Sequence, residues 1–208
     1  MKSEISNLKL PSPPTPNPTF MPLSAPIPLN LTNLKQRTFS CHDLLPLHSD
    51  SLWKIERGVV RTLTCSEEGR SIVLGFWGPG DVVGQPLSRL DPYQIECLTS
   101  AEVSLLPSNL WYQVMDAWIS HAQESEELLS IVHNRPVNVR LLQLLNWLAR
   151  KFGREVEGGK LIELPLTHQA LSEVICTTRV TVTRLLNQFE QEGILNRRGR
   201  FLILGRQK

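Results

Sequence analysis

The sequence predicts an α+β chain in three parts: short strands forming a barrel, sandwich or jelly roll, a helical connector, and a C-terminal winged helix-turn-helix. Three features point there. Val-, Ile- and Leu-rich runs cut by glycine at 58, 69, 75, 78, 80 and 84 fill the first half. After Pro107 the apolar residues take up helical spacing. Residues 164–204 then read as helix, tight turn, helix and two short strands.

Composition bounds the function classes. The chain has 208 residues, 41% hydrophobic and 20% charged, which suits one large or two small packed domains rather than a charge-rich tail. No apolar run approaches the ~18–20 residues of a membrane span, and the N-terminus lacks a basic start followed by an apolar core. A cytoplasmic protein with no membrane contact is expected. Cys41, Cys65, Cys97 and Cys176 are scattered without a CxxC pair, which argues against a structural zinc or a disulfide framework. His42, His48, His121, His133 and His168 are equally dispersed. No metal site, no nucleophile–base set and no cupin-like enzyme is expected.

The elements follow in order. Eight of the fifteen prolines fall within residues 1–30, which reads as a disordered proline-rich tail. Residues 31–107 hold these short strands, with a hairpin at Ser66-Glu67-Glu68-Gly69 between Val59–Thr64 and Ser71–Phe76. A turn follows at Gly78-Pro79-Gly80-Asp81, and two strands in "QIECLTSAEVSLLP". Residues 108–136 form a helical segment, the one that the family resemblance given below implies for dimerisation. It is expected as a helix capped by Ser108 over 109–119 and another over 122–134, with Leu128, Leu129, Ile131 and Val132 as a partial apolar stripe. Residues 137–208 form the last domain. It opens with an amphipathic helix that buries Leu141, Leu144, Leu145 and Leu148 and ends at Gly153.

The modest net charge of +2 hides a division at Pro136. Residues 1–136 carry 10 basic and 14 acidic side chains, a balance of −4; residues 137–208 carry 12 and 6, a balance of +6. A basic module of this kind suits phosphate.

Within that module, Leu166-Thr167 ends a short strand and Thr167 caps a helix whose apolar face is Ala170, Leu171, Val174 and Ile175. Cys176-Thr177 is the turn. A helix capped by Thr177 or Thr178 then buries Val182, Leu185, Leu186 and Phe189 and stops at Gly193. Strands Ile194–Asn196 and Phe201–Leu204 follow, joined by Arg197-Arg198-Gly199-Arg200. Packing leaves Thr178, Arg179, Val180, Thr183 and Arg184 outward, where a recognition helix meets the major groove. Arginine can hold guanine O6 and N7 with two hydrogen bonds, and Val180 can offer an apolar contact to a thymine methyl.

Residues 137–204 resemble the C-terminal domain of the Crp/Fnr superfamily of transcription regulators. "LTHQALSEVICTTRVTVTRLL" is especially similar to the branch of the global nitrogen regulator NtcA. "WKIERGVVRTLTCSEEGRSIVLGFWGPGDVVG" resembles the superfamily's cyclic-nucleotide-binding-like β-roll. The resemblance implies that Arg179, Val180 and Arg184 read bases. Thr167, His168 and Thr181 match positions near phosphates, and Thr178, Thr183, Arg197, Arg198 and Arg200 complete the DNA-facing set. It further implies a homodimer on palindromic double-stranded DNA with GTA/TAC-type half-sites, and contact with RNA polymerase.

The sequence also departs from the family. Where the cyclic-nucleotide pocket resembles GELA followed by an Arg-Ser or Arg-Ala pair, this chain reads Gln85-Pro86, and no arginine falls near Tyr93–Ile95; Arg89 is out of register. Cyclic AMP is therefore not expected, because a buried phosphate would lack its counter-charge. Glu126, Glu127 and Arg135 are the candidates for 2-oxoglutarate, although none matches a family motif. Cys41 stands alone, against an iron–sulfur cluster, and His42 and His48 read as solvated loop residues rather than haem ligands. No cofactor is expected. The dimer helix is expected about three turns shorter than is usual for the family. Cys176 occupies the turn position where the family usually has glycine. The competing reading is a protein-interaction module in which the roll and the proline-rich tail bind a partner and DNA binding is secondary.

Overall fold

The computed structural model describes residues 34–205. The proline-rich segment therefore lies outside the described residues. Seven strands build the roll: β1 (Gln36–Phe39), β2 (Ser51–Arg57), β3 (Val60–Cys65), β4 (Ser71–Trp77), β5 (Val82–Val83), β6 (Gln94–Cys97) and β7 (Ala101–Pro107). One sheet has the order β1-β7-β2-β5, the other β4-β3-β6, and all pairings are antiparallel. Their inner faces share a core of Trp53, Ile55, Val60, Trp77, Val83, Tyr93, Ile95 and Val103. The two indoles keep their N–H groups satisfied, as buried donors must. Trp53 Nε1 donates to the Pro46 carbonyl at 2.8 Å and Trp77 Nε1 to Thr62 Oγ1 at 3.0 Å.

The expected hairpin is present: Ser66 N donates to the Arg70 carbonyl at 2.9 Å across the turn. Gly58 turns β2 into β3 at φ +83°, and a Cβ there would lie 2.2 Å from the Ser100 carbonyl oxygen, so only glycine fits. The Gly78–Asp81 turn closes when Asp81 Oδ2 accepts from Gly78 N at 2.8 Å.

The connector differs from the expected pair of helices. Ser108–Val114 is a 3-10 segment without a side-chain cap, and a single helix, α1 (Met115–Val132), runs through the anticipated break. Nothing in 119–122 stops a helix, so the chain continues. Leu128 and Ile131 are buried as expected, but Leu129 points to the other face and is 56% exposed.

Helix α2 (Val137–Phe152) buries Leu141, Leu144, Leu145 and Leu148 completely. It ends at Gly153, where a Cβ would lie 2.1 Å from the Ala149 carbonyl oxygen. The chain passes directly into a hairpin, β8 (Gly153–Val156) and β9 (Gly159–Ile162), that the sequence pattern does not announce. The strand expected to end at Leu166-Thr167 ends instead at Ile162, and Leu164 is buried beyond it. Helices α3 (His168–Val174) and α4 (Arg179–Gln191) follow, then β10 (Leu195–Arg198) and β11 (Phe201–Gly205). The sheet order is β10-β11-β9-β8, a four-stranded wing.

The winged domain is seated on the roll. Val59, Leu63, Val73 and Phe76 belong to the same apolar core as Leu141, Leu144, Leu171 and Val182. Phe76 meets Trp147 with ring centroids 6.1 Å apart. Two cations tie the seam. Arg61 lies 2.8 Å from Glu96 on β6 and 3.4 Å from Glu173 on α3. Lys151 on α2 lies 3.0 Å from Asp81 of the roll and 3.7 Å from Glu124 on α1, over the ring of Trp77 at 4.9 Å.

Candidate nucleic-acid interface

The second helix of the motif is held from beneath. Val182, Leu185, Leu186 and Phe189 are all buried, as their spacing predicts. Both helices start on threonine caps. Thr167 Oγ1 accepts from Ala170 N at 3.0 Å, and Thr178 Oγ1 accepts from Thr181 N at 3.2 Å. Between them, Cys176 turns the chain at φ +51°, and Thr177 N donates to the Ser172 carbonyl at 3.0 Å.

With that face buried, Arg179, Val180, Thr183 and Arg184 line one shallow outward surface together with Asn187. Val180 is 78% exposed, so its apolar side chain is open to a ligand from solvent. Asn187 is not among the residues singled out from the sequence, although positions 180, 183, 184 and 187 share one helical face. Its Oδ1 accepts from Arg197 Nη2 at 2.7 Å, and Arg197 Nε lies 3.6 Å from Glu190.

The wing differs from expectation on this point. Arg197 and Arg198 lie on β10 rather than in the connecting turn, because the strand continues to Arg198 and the turn is Gly199-Arg200. Arg197 is bound back onto α4. Arg198 alternates to the opposite face of the strand. Arg200 stands over the Phe201 ring at 5.2 Å.

His168, at the start of α3, reaches α4: its Nδ1 is 2.8 Å from Thr183 Oγ1. It shares a cleft of about 240 Å³ with Arg197, Arg200 and Phe201. Burial, then the charges of Arg197 and Arg179, hold its pKa below the ordinary histidine value. Thr178 and Thr181 are spent mainly on each other, with their hydroxyls 2.9 Å apart. The predicted residues thus separate into an outward face (Arg179, Val180, Thr183, Arg184), a cleft (His168, Arg197, Arg200), and caps that shape the backbone (Thr167, Thr178, with Thr181).

Comparison with known proteins matches this geometry. The Crp-like helix-turn-helix domain family matches residues 139–208. The regulatory protein CysR of Synechococcus elongatus is 43% identical over 164 residues, covering 77% of this chain and 79% of CysR. The chain belongs to the Crp/Fnr family of transcription regulators. The global nitrogen regulator of Nostoc is 28% identical over 139 residues, covering 67% of this chain and 58% of its own. A CRP-family transcriptional regulator of Thermus thermophilus shares the fold with a TM-score of 0.70 at 20% identity, over 82% of this chain and 92% of its own. FixK2 of Bradyrhizobium japonicum does so at 0.69 and 18% identity, over 82% and 92%. CysR carries the family membership at 43% identity, and this chain is a Crp/Fnr transcription regulator.

Within the Crp/Fnr roll, the residues that depart from the family pattern have local partners. Gln85 and Pro86 lie in the 3-10 turn Gln85–Leu87, where Gln85 Nε2 donates to the Ser88 carbonyl at 3.2 Å. Arg89 is exposed. Tyr93 is buried, and desolvation pushes its hydroxyl pKa to about 12. The half-buried guanidinium of Arg61 is already committed to Glu96 and Glu173. Glu127 is paired with Arg150, while Glu126 and Arg135 are exposed. Among the described residues, no three His, Cys, Asp or Glu side chains gather as a metal-binding group. His42 is exposed and bonded to Glu96 at 3.0 Å. His48 is not the solvated loop residue expected; its ring packs 5.6 Å from Trp53 and its Nε2 is buried.

The left-handed backbone at Cys176 costs a residue with a Cβ about 1 kcal/mol, and the side chain is exposed. Cys176→Gly relieves that strain at some cost in chain entropy. It is expected to stabilise the domain by up to about 1 kcal/mol, read as a higher midpoint in urea. A lower midpoint would show that the thiol contributes contacts outweighing the strain.

Proposed function

We propose that this Crp/Fnr regulator binds a palindromic site in double-stranded DNA as a homodimer, reading bases with Arg179, Val180 and Arg184, and does so without a cyclic-AMP site. The observation that carries the reading is the outward face of α4. Two arginines and an exposed valine stand together near the end of the helix that enters the groove, over a fully buried opposite face. The arrangement favours half-sites of GTA/TAC type, with arginine on guanine and valine on a thymine methyl. His168, Arg200 and Arg198 flank this surface as phosphate contacts. Activation or repression then follows from contacts between the roll or wing and RNA polymerase, in the cytoplasm.

The dimer is proposed to form through α1. Met115, Ile119, Ala122, Glu126, Leu129 and His133 recur at alternating steps of four and three, the spacing of a two-stranded coiled coil. Met115, Ile119 and Leu129 are 56%, 52% and 56% exposed in the single chain. Eighteen residues give α1 a length of ~27 Å, enough for a paired seam. Two readers carried by such a pair can face half-sites one helical turn apart.

The filled roll supports the absence of a cyclic-AMP site. Trp53, Trp77 and Tyr93 occupy its interior, and the guanidinium that would balance a buried phosphate is missing from that wall.

Three outcomes are expected. In a shift assay on the site recovered by selection from random DNA, Arg179→Ala and Arg184→Ala each weaken specific binding by roughly 10- to 100-fold. Equal binding by wild type and the double variant would remove DNA reading from α4. Ile119→Glu/Leu129→Glu yields monomers in analytical ultracentrifugation and loses binding to the two-half-site DNA; a dimer that survives both changes places the interface elsewhere. Calorimetric titration of cyclic AMP gives no saturable heat, and micromolar affinity would refute the filled-roll reading.

A further inference from the structure

We propose that DNA binding by this chain is coupled to proton uptake at His168, whose imidazole joins Arg200 in gripping a backbone phosphate only when doubly protonated. The inference rests on the DNA-binding reading above and adds a regulation of that same surface.

One hydroxyl fixes the tautomer of the ring. Thr183 Oγ1 lies 2.9 Å from the Arg179 carbonyl and donates to it. A carbonyl can only accept, so the single hydroxyl proton of Thr183 is used there. The same oxygen lies 2.8 Å from His168 Nδ1. It has no second proton to give, so Nδ1 must carry one and donate it. In a neutral imidazole the other nitrogen, Nε2, is then a bare acceptor. A phosphate oxygen is an acceptor too, and the two lone pairs repel. Nε2 can meet a phosphate only after gaining a proton, which makes the ring a cation.

The surroundings set the direction of the coupling. The charged groups facing His168 come from three elements: Arg179 on α4, Arg197 on β10 and Arg200 in the wing turn. Nearby carboxylates are already taken. Glu190 is 3.6 Å from Arg197, and Glu173, on the same helix as His168, is 3.4 Å from Arg61 and accepts from Gln169. Without DNA, burial and then the charges of Arg197 and Arg179 hold the ring's pKa below the ordinary histidine value and favour its neutral form. A phosphodiester entering the cleft brings negative charge and reverses the local field, so the bound state holds a proton that the free state lacks. The cleft, at about 240 Å³ and edged by two guanidiniums and this imidazole, suits one phosphate group.

The sign follows from linkage. A group whose pKa rises on binding makes binding tighter as pH falls through the window between its free and bound pKa values. Here the free value lies below the ordinary 6.5, so affinity is expected to fall as pH rises from there. The slope reaches at most about tenfold per pH unit for each protomer engaged.

The test is fluorescence anisotropy of the full chain on its selected palindromic DNA between about pH 5.5 and 8.5 at constant ionic strength. His168→Gln keeps a donor for Thr183 but cannot gain charge. It should flatten the pH dependence relative to wild type and bind more weakly at the acidic end. His168→Arg carries its charge throughout and should bind tightly with the same flattened slope. Thr183→Val removes the acceptor that fixes the tautomer, letting a neutral Nε2–H face the phosphate, and should flatten the slope as well. Other histidines titrate in all four proteins, so the difference from wild type is the readout. Identical slopes for wild type and His168→Gln overturn the proposal. Failure of all four proteins to bind DNA at any pH overturns the DNA-binding reading itself, a distinguishable result.

Discussion

The position of the reading helix depends on one buried cation. The side chain of Lys151 is 12% exposed, and an ammonium taken that far out of water is tolerable only if it is surrounded by compensating charge and polarisable faces. Asp81 from the roll's Gly-Pro-Gly-Asp turn and Glu124 from α1 supply the charge. Trp77, Trp147 and Phe152 supply ring faces at 4.9, 5.7 and 5.8 Å. The charged partners belong to the roll and to α1, and Lys151 itself stands in the last turn of the helix that leads into the winged domain. Removing Asp81, the nearer partner at 3.0 Å, leaves the buried ammonium with Glu124 at 3.7 Å alone, so the ion pair ties roll, connector and α2 together at one point.

Trp77 is where this constraint meets the interior of the roll. One face of its environment is the roll core with Trp53 and Tyr93. His121 of α1 stacks on the ring at 3.8 Å, nearly parallel, with Nδ1 3.1 Å from the Val82 carbonyl. Burial holds that imidazole's pKa below its ordinary value, which keeps it neutral beside Lys151. A cationic ring there would place like charges together. The roll is thus coupled to α1 through an aromatic stack and to α2 through an ion pair, both meeting at the same indole. Movement of the roll wall must pass through α1, where the dimer seam is proposed, and α2, which carries the reader.

The legible parts of this architecture are those governed by local rules. Buried positions of α2 and α4 follow from helical spacing, the hairpin and turn from their glycines, and the caps at Thr167 and Thr178 from side-chain chemistry. The charge division at Pro136 is visible in the residue types alone and marks the basic module. What escapes the sequence is set by register or by distant partners. A 3-10 segment and a helix N-terminus differ little in composition, so Ser108 reads as a cap. Leu129 reads as core because it is apolar and adjoins Leu128, but at about 100° per residue it turns away from the face that Leu128 and Ile131 bury. The β8–β9 hairpin is built from polar residues around Gly158-Gly159 and has too little alternation to announce itself. Arg197 reads as a wing cation because its partners, Asn187 and Glu190, are brought to it only by folding.

That last case alters what the charge arithmetic means. The winged domain's balance of +6 is not six charges waiting for phosphate. Arg150 and Lys151 serve carboxylates of α1 and the roll, Arg154 pairs with Glu163, Lys160 with Glu155, and Arg197 with Glu190. Part of the opposite charge of the two halves therefore holds them together. Among the described residues, the winged-domain cations left exposed without a carboxylate partner are Arg179, Arg184, Arg198 and Arg200. All four lie on α4's outward face or on the wing. Non-specific attraction grows with the number of phosphates neutralised. In the proposed reading, discrimination rests on Arg179 and Arg184. A conditional positive charge at His168 would add directly to these four, which is why one proton there can matter to binding on this surface.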